Sequence, residues 1–289
     1  MHPILIRNNV KILGEGSQVL VFAHGFGCAQ NSWKYITDAF LEDYKVILFD
    51  YVGSGDSDLS QYDQKKYATL EGYACDVMDI IQALELKNII FIGHSVGSMI
   101  GMIAALQVPE IFKKLIFIGA SPRYLNDGDY IGGFNAEDME TIFTHIAQDY
   151  VSWSKQMAPI VMDSPGEPEL SDFVQECFEA TNPSVALAFA MATFKTDYRD
   201  QLKNLEVPSL TLQCKNDAIV PLSVGEFIYK NTPENFLVVM KATGHFPHIS
   251  APDETIREIK DFIEDAGLKS ASDHFYTPEA SCPSVVKTE

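Results

Sequence analysis

Positive charge is what this sequence has least of. Its 40 Asp and Glu outnumber its 21 Lys and Arg, leaving a formal net charge of −19 at pH 7. No run of basic residues offsets that balance, so nucleic acid and anionic membrane surfaces are repelled on average. No apolar stretch reaches the ~18 residues a membrane span needs. Met1 to Asn8 has neither an extended apolar core nor a small-residue cleavage site, so no signal peptide is expected. Cysteine is sparse and scattered: Cys28, Cys75, Cys177, Cys214 and Cys282 form no C-x-x-C pair and no cluster with histidine. A disulfide framework and a zinc site are thereby disfavoured, and free thiols in a reducing cytoplasm are expected.

What is present is a globular composition, 46% hydrophobic and 21% charged over 289 residues, enough for one large α/β domain with an insertion or for two small domains. The chain is organised around Asn88-Ile89-Ile90-Phe91-Ile92-Gly93-His94-Ser95-Val96-Gly97. Four consecutive apolar residues suit a buried parallel strand, and Ser98 to Val108 suits a helix stopped by Pro109. Between them lies Gly-x-Ser-x-Gly. Strand, tight turn and helix make that motif a nucleophile elbow, with strand and helix too close for side chains at Gly93 and Gly97. The elbow holds Ser95 above the sheet and aims the Val96 N–H at an oxyanion. A surface serine in a Gly-rich loop would carry the same letters, so the rest of the chain must supply the partners.

Val10 to Leu13 and Val19 to Ala23 read as early strands, the second ending in His24-Gly25-Phe26-Gly27. Glycines after a buried strand allow close backbone approach, and this loop is placed to give a second oxyanion donor, the Phe26 N–H. His24 reads as a residue orienting that loop. Trp33 to Leu41 suits a helix and Lys45 to Phe49 a strand. Asp50-Tyr51-Val52-Gly53-Ser54-Gly55-Asp56-Ser57 lacks both the lysine of a phosphate loop and the third glycine of a dinucleotide fingerprint, which leaves a shaped turn. Thr69 to Leu84 has helical apolar spacing, and Lys114 to Gly119 is a further strand.

From Arg123 to Leu202 the alternation stops, and helices are expected over 136–150, 151–162, 169–180 and 184–196. Asn135 suits the first N-cap and Pro183 the start of the last helix. Their aromatics predict an apolar chamber above Ser95. The sheet resumes at Pro208 to Cys214, followed by Asp217, where an acid belongs. After the strand Phe236 to Met240 comes Gly244-His245-Phe246-Pro247-His248, where a base belongs. His245 takes first place for that role and His248 second. The order Ser95, Asp217, His245 is that of α/β-hydrolases. An α/β-hydrolase fold follows: a mostly parallel sheet with helices on both faces, its core from residues 1–122 and 203–266 and a four-helix lid from 123–202. Residues 267–289 read as a disordered tail, a short docking motif being the alternative.

Several stretches resemble a known family: His24-Gly25-Phe26-Gly27, Val46 to Gly55, Leu70-Glu71-Gly72-Tyr73, Gly93 to Gly97, Ser121-Pro122-Arg123-Tyr124-Leu125-Asn126-Asp127 and Gly132-Gly133-Phe134. Together they resemble the bacterial RsbQ-type stress regulators and, less closely, the plant karrikin and strigolactone receptor hydrolases. The resemblance implies a V-shaped lid over a pocket that includes Phe26, Tyr124, Phe134, Ile142, Trp153, Met157, Phe194, Ile219 and Phe246. It also implies slow hydrolysis of small hydrophobic esters or enol ethers in signalling, and a phosphatase partner that switches on a general-stress sigma factor. The chemistry expected of Ser95, His245 and Asp217 needs no metal or organic cofactor. A housekeeping carboxylesterase and a binding module with a vestigial triad are the alternatives.

Overall fold

The structure is a computed structural model, and it describes residues 2–264. Among these the strands are β1 (Lys11–Leu13), β2 (Gln18–Ala23), β3 (Tyr44–Leu48), β4 (Ile89–His94), β5 (Phe112–Ile118), β6 (Ser209–Cys214) and β7 (Asn235–Met240). They form a seven-stranded sheet in the order β1-β3-β2-β4-β5-β6-β7. Only β1 runs antiparallel to its neighbour; the other pairings are parallel. The expected open, mostly parallel sheet is present.

Helices cover both faces because the central strands are apolar on both sides. Every residue of β4 and β6 is buried. The helices are α1 (Pro3–Arg7), α2 (Leu70–Ala83), α3 (Val96–Gln107), α4 (Ala136–Gln148), α5 (Tyr150–Met162), α6 (Pro168–Glu179), α7 (Pro183–Phe194), α8 (Leu222–Asn231), α9 (Pro247–Ser250) and α10 (Pro252–Ile263). One core layer joins α2, α3 and the α4–α7 insertion to the inward side chains of one sheet face. The other packs Trp33, Phe40, Ile259 and Phe262 against Leu20, Phe22, Ile90 and Ile116. No described helix is long and apolar enough to cross a membrane.

Two local readings need correction. Residues 33–41 are not one helix: the segment holds the end of one short 3-10 turn, Gln30–Trp33, and the whole of a second, Thr37–Phe40, with residues 34–36 between them. The reason is tertiary: Trp33, Ile36 and Phe40 are all buried to anchor this segment on the sheet, a spacing that two tight turns meet as well as an α-helix does. The short helix Pro3–Arg7 was not expected, since its five residues carry no buried position to set a periodicity. The tail expected over 267–289 lies outside the described residues.

The α4–α7 insertion leaves the sheet after β5 and returns before β6. Asn135 and Asp138 form a reciprocal capping box at the start of α4, and Asn182 caps α7 beside Pro183. The two ends of the insertion meet at its base. The Tyr198 N–H donates to the Pro122 carbonyl at 2.8 Å, and Arg123 Nη1 to Asp197 Oδ2 at 2.7 Å.

Candidate active site

Ser95 stands at the junction of β4 and α3 with φ 53° and ψ −123°, a left-handed conformation unfavourable for a side chain. Its own N–H donates to the Ile118 carbonyl of β5 at 2.7 Å, and Ser98 Oγ donates back to the Gly93 carbonyl at 2.7 Å. Glycine is required on either side. A Cβ on Gly93 would lie 2.5 Å from Ser98 Cα, and one on Gly97 2.6 Å from the carbonyl oxygens of Ala23 and His24. The Val96 N–H opens α3, so it has no carbonyl one turn earlier within the helix to bind.

The structure brings Ser95, His245 and Asp217 together from three distant segments. His245 Nε2 is 2.9 Å from Ser95 Oγ, and His245 Nδ1 is 2.8 Å from Asp217 Oδ2. The carboxylate is fixed from its other side, since Asp217 Oδ1 accepts the N–H groups of Ile219 at 2.8 Å and Val220 at 3.0 Å. An anionic Asp217 on Nδ1 keeps the proton there and leaves Nε2 free to accept from the serine hydroxyl.

His245 is also held through its backbone. Its N–H donates to the Val161 carbonyl of α5 at 2.6 Å, and its carbonyl accepts from His94 Nε2 at 2.8 Å. His248 does not reach the serine. Its ring packs at a tilt against Trp33 and His94, and neither of its ring nitrogens has a hydrogen-bond partner among the described residues. Burial pushes its pKa down to about 3, helped by the nearby His245. Burial likewise pulls His94 well below its ordinary value, followed by repulsion from His248 and His245. Both neighbours are therefore neutral near pH 7, so an imidazolium formed at His245 meets no charged ring beside it.

His24 orients the loop that bears Phe26. Its Nε2 accepts the Tyr51 N–H at 3.1 Å, which leaves Nδ1 to donate to the Gly25 carbonyl at 2.9 Å. A Cβ on Gly25 would meet His94 Nδ1 at 2.5 Å, so glycine lets this loop lie directly against the elbow.

Above Ser95 lies a narrow cavity lined by Phe26, Tyr124, Phe134, Ile142 and Trp153, and further by Met157, Phe194, Ile219 and Phe246. All nine residues singled out by sequence as pocket positions face it. His94, Val161, Phe178 and Thr193 line it too and were missed. Phe178 had a signal as one of the aromatics of the insertion; Val161 and Thr193 had none beyond helical periodicity. No Asp, Glu, Lys or Arg is among the lining residues, and Tyr124 Oη lies 3.5 Å from Ser95 Oγ. Among the described residues no cluster of three or more His, Cys, Asp or Glu could hold a metal ion.

Residues 18–252 match the model of the alpha/beta hydrolase fold family. The chain belongs to the α/β-hydrolases. This hydrolase is 40% identical over 254 residues to the karrikin insensitive 2 receptor CA of Petunia hybrida, which covers 86% of this chain and 93% of that protein. It is 36% identical over 252 residues to the strigolactone esterase D14 of Arabidopsis thaliana, covering 87% and 94%. Among solved structures it resembles olei00960, a hydrolase from Oleispira antarctica, with a TM-score of 0.89 and 38% identity over 91% of this chain and 97% of that one.

Proposed function

We propose that this α/β-hydrolase cleaves small, neutral, hydrophobic ester-like or enol-ether-like molecules through a covalent intermediate on Ser95, and that hydrolysis serves signalling. The relay of 2.9 and 2.8 Å from Ser95 through His245 to Asp217 carries the reading. His245 takes the Ser95 proton as Oγ attacks and returns one to the leaving group. Asp217 holds the tautomer and stabilises the imidazolium. The N–H groups of Phe26 and Val96 receive the oxyanion, each donor worth a few kcal/mol in comparable sites. Residues 123–202 act as the lid, over a core of 1–122 and 203–266. The cavity without charged lining favours uncharged substrates.

The signalling part rests on relatives of which one is named a karrikin insensitive 2 receptor and another a strigolactone esterase. By its resemblance to RsbQ-type regulators, the protein works in the cytoplasm with a protein phosphatase and activates a general-stress sigma factor. Intact-mass detection of an adduct on Ser95 after exposure to candidate esters tests the chemistry. The adduct is expected in the native protein and absent from Ser95→Ala; no adduct with any ester that is turned over would refute it. Rapid turnover of short nitrophenyl esters without any ligand-induced change in lid stability would point to a housekeeping carboxylesterase. Signalling that survives Ser95→Ala would point to a binding module.

A further inference from the structure

The nucleophile has a second polar neighbour that the relay to His245 does not use. Tyr124 lines the cavity, and its Oη lies 3.5 Å from Ser95 Oγ. That separation is too long for a strong hydrogen bond between two hydroxyls, and Oη has no other hydrogen-bond partner among the described residues. Tyr124 is only 1% exposed, so its phenol keeps a proton to share beside the reacting atoms. We propose that Tyr124 is a further catalytic residue, whose hydroxyl donates a hydrogen bond to the leaving-group oxygen of the ester.

The side of approach selects the leaving oxygen over the oxyanion. Strand β4, which ends at the elbow, lies between β2 and β5. The loop bearing Phe26 follows β2, whereas Tyr124 follows β5, with Asp217 and His245 following β6 and β7 beyond it. The leaving oxygen departs towards His245, which protonates it, and so separates on the side where Tyr124 stands. As the bond between acyl carbon and leaving oxygen breaks, its electron pair passes to that oxygen and the proton arrives from His245. Tyr124 keeps its own proton and lends only the hydrogen bond. Burial raises its pKa above the ordinary value, so the phenol is a donor throughout the neutral range.

Backbone and ring hold the hydroxyl in place. The Tyr124 carbonyl accepts the Phe134 N–H at 3.1 Å, and a Cβ on Gly132 would meet that carbonyl oxygen at 2.6 Å. The ring stands edge-on to Phe194 at 4.9 Å between centroids. Phenylalanine at this position would keep these contacts and lose only the donor. Such a donor matters most for alcohols of high pKa, whose oxygen carries nearly a full negative charge as it leaves.

The test compares Tyr124→Phe with the native full chain on the acetate esters of 4-nitrophenol, phenol, trifluoroethanol and ethanol, so that the acyl group stays constant. kcat/KM should fall roughly 10- to 100-fold for ethyl acetate but less than about 2-fold for 4-nitrophenyl acetate, whose leaving group needs little stabilising. The ratio between two esters does not depend on how much of the variant is folded, so a partly folded preparation still decides. An unchanged ratio overturns the proposal, whether activity is kept or is lost equally on every ester. The role of Tyr124 rests on Ser95 being the nucleophile. Without an adduct on Ser95 in the native protein both readings fall, whereas an adduct beside an unchanged ratio removes only the role of Tyr124.

Discussion

The amide of His245 donates to the carbonyl of Val161 at 2.6 Å, so the loop bearing His245 hangs directly from the C-terminal end of helix α5 in the insertion. The neighbouring residues tighten this contact. Gly244 sits at φ +81° with its Cα against the Met162 carbonyl, and Thr243 Oγ1 donates to the Asp163 carbonyl at 3.1 Å. Any shift of α5 is thereby transmitted to the imidazole.

Gly244→Ala should therefore injure activity more than its position outside the cavity suggests. Its Cβ would lie 2.2 Å from Met162 O, at a φ that alanine adopts only under strain of about 1–3 kcal/mol. Displacing His245 by a fraction of an ångström should lower kcat by roughly 10- to 100-fold. Ester kinetics beside urea unfolding would check this; unchanged kcat with lowered stability would show that α5 does not position the base.

Asp217→Asn separates geometry from charge. The Ile219 and Val220 amides still have an oxygen to bind, so the loop should keep its shape. An amide facing His245 Nδ1 favours the wrong tautomer, and kcat should fall by ~10⁴-fold with little change in stability. Steady-state kinetics and thermal unfolding read the two effects separately.

Phe194→Ala should enlarge the cavity. The Phe194 ring packs against Phe26, Tyr124, Phe134 and Phe143, linking the insertion to the loops around Ser95. Loss of stability of about 3 kcal/mol is expected, together with a shift in kcat/KM towards longer acyl chains. A nitrophenyl ester series of increasing chain length measures that shift.

The buried histidines set an acid limit. His94 and His248 are both depressed, His248 to about 3, whereas an unfolded histidine titrates near 6.5. With folded values below unfolded ones, their contribution is complete above about pH 6.5 and is lost as pH falls towards the folded values. Each should add a slope of up to about 1.4 kcal/mol per pH unit in that window. His248→Asn should make the acid side of a stability–pH curve shallower by one proton's worth, as urea titrations from pH 7 to pH 4 would register.

Much of this molecule is legible in its sequence because chemistry and topology constrain the same residues. The elbow can be read because Gly93 and Gly97 are forced by contacts under 3 Å, and the order Ser95, Asp217, His245 follows from the ends of β4, β6 and β7. The 3-10 turns around Trp33 cannot be read, since burial of Trp33, Ile36 and Phe40 fits two kinds of helix equally. The same holds for Val161. Its part in the site lies in a backbone carbonyl, which every residue type possesses.

The closure of the insertion at its base, through Tyr198 to Pro122 and Arg123 to Asp197, has an evolutionary consequence. The helical segment is a cassette tied off at its neck: it could be exchanged for another of different length without re-threading a single strand. New ligand preferences are then open to such a protein while Ser95 and Asp217 stay where the sheet holds them, and only the thread that Val161 runs to His245 crosses the seam.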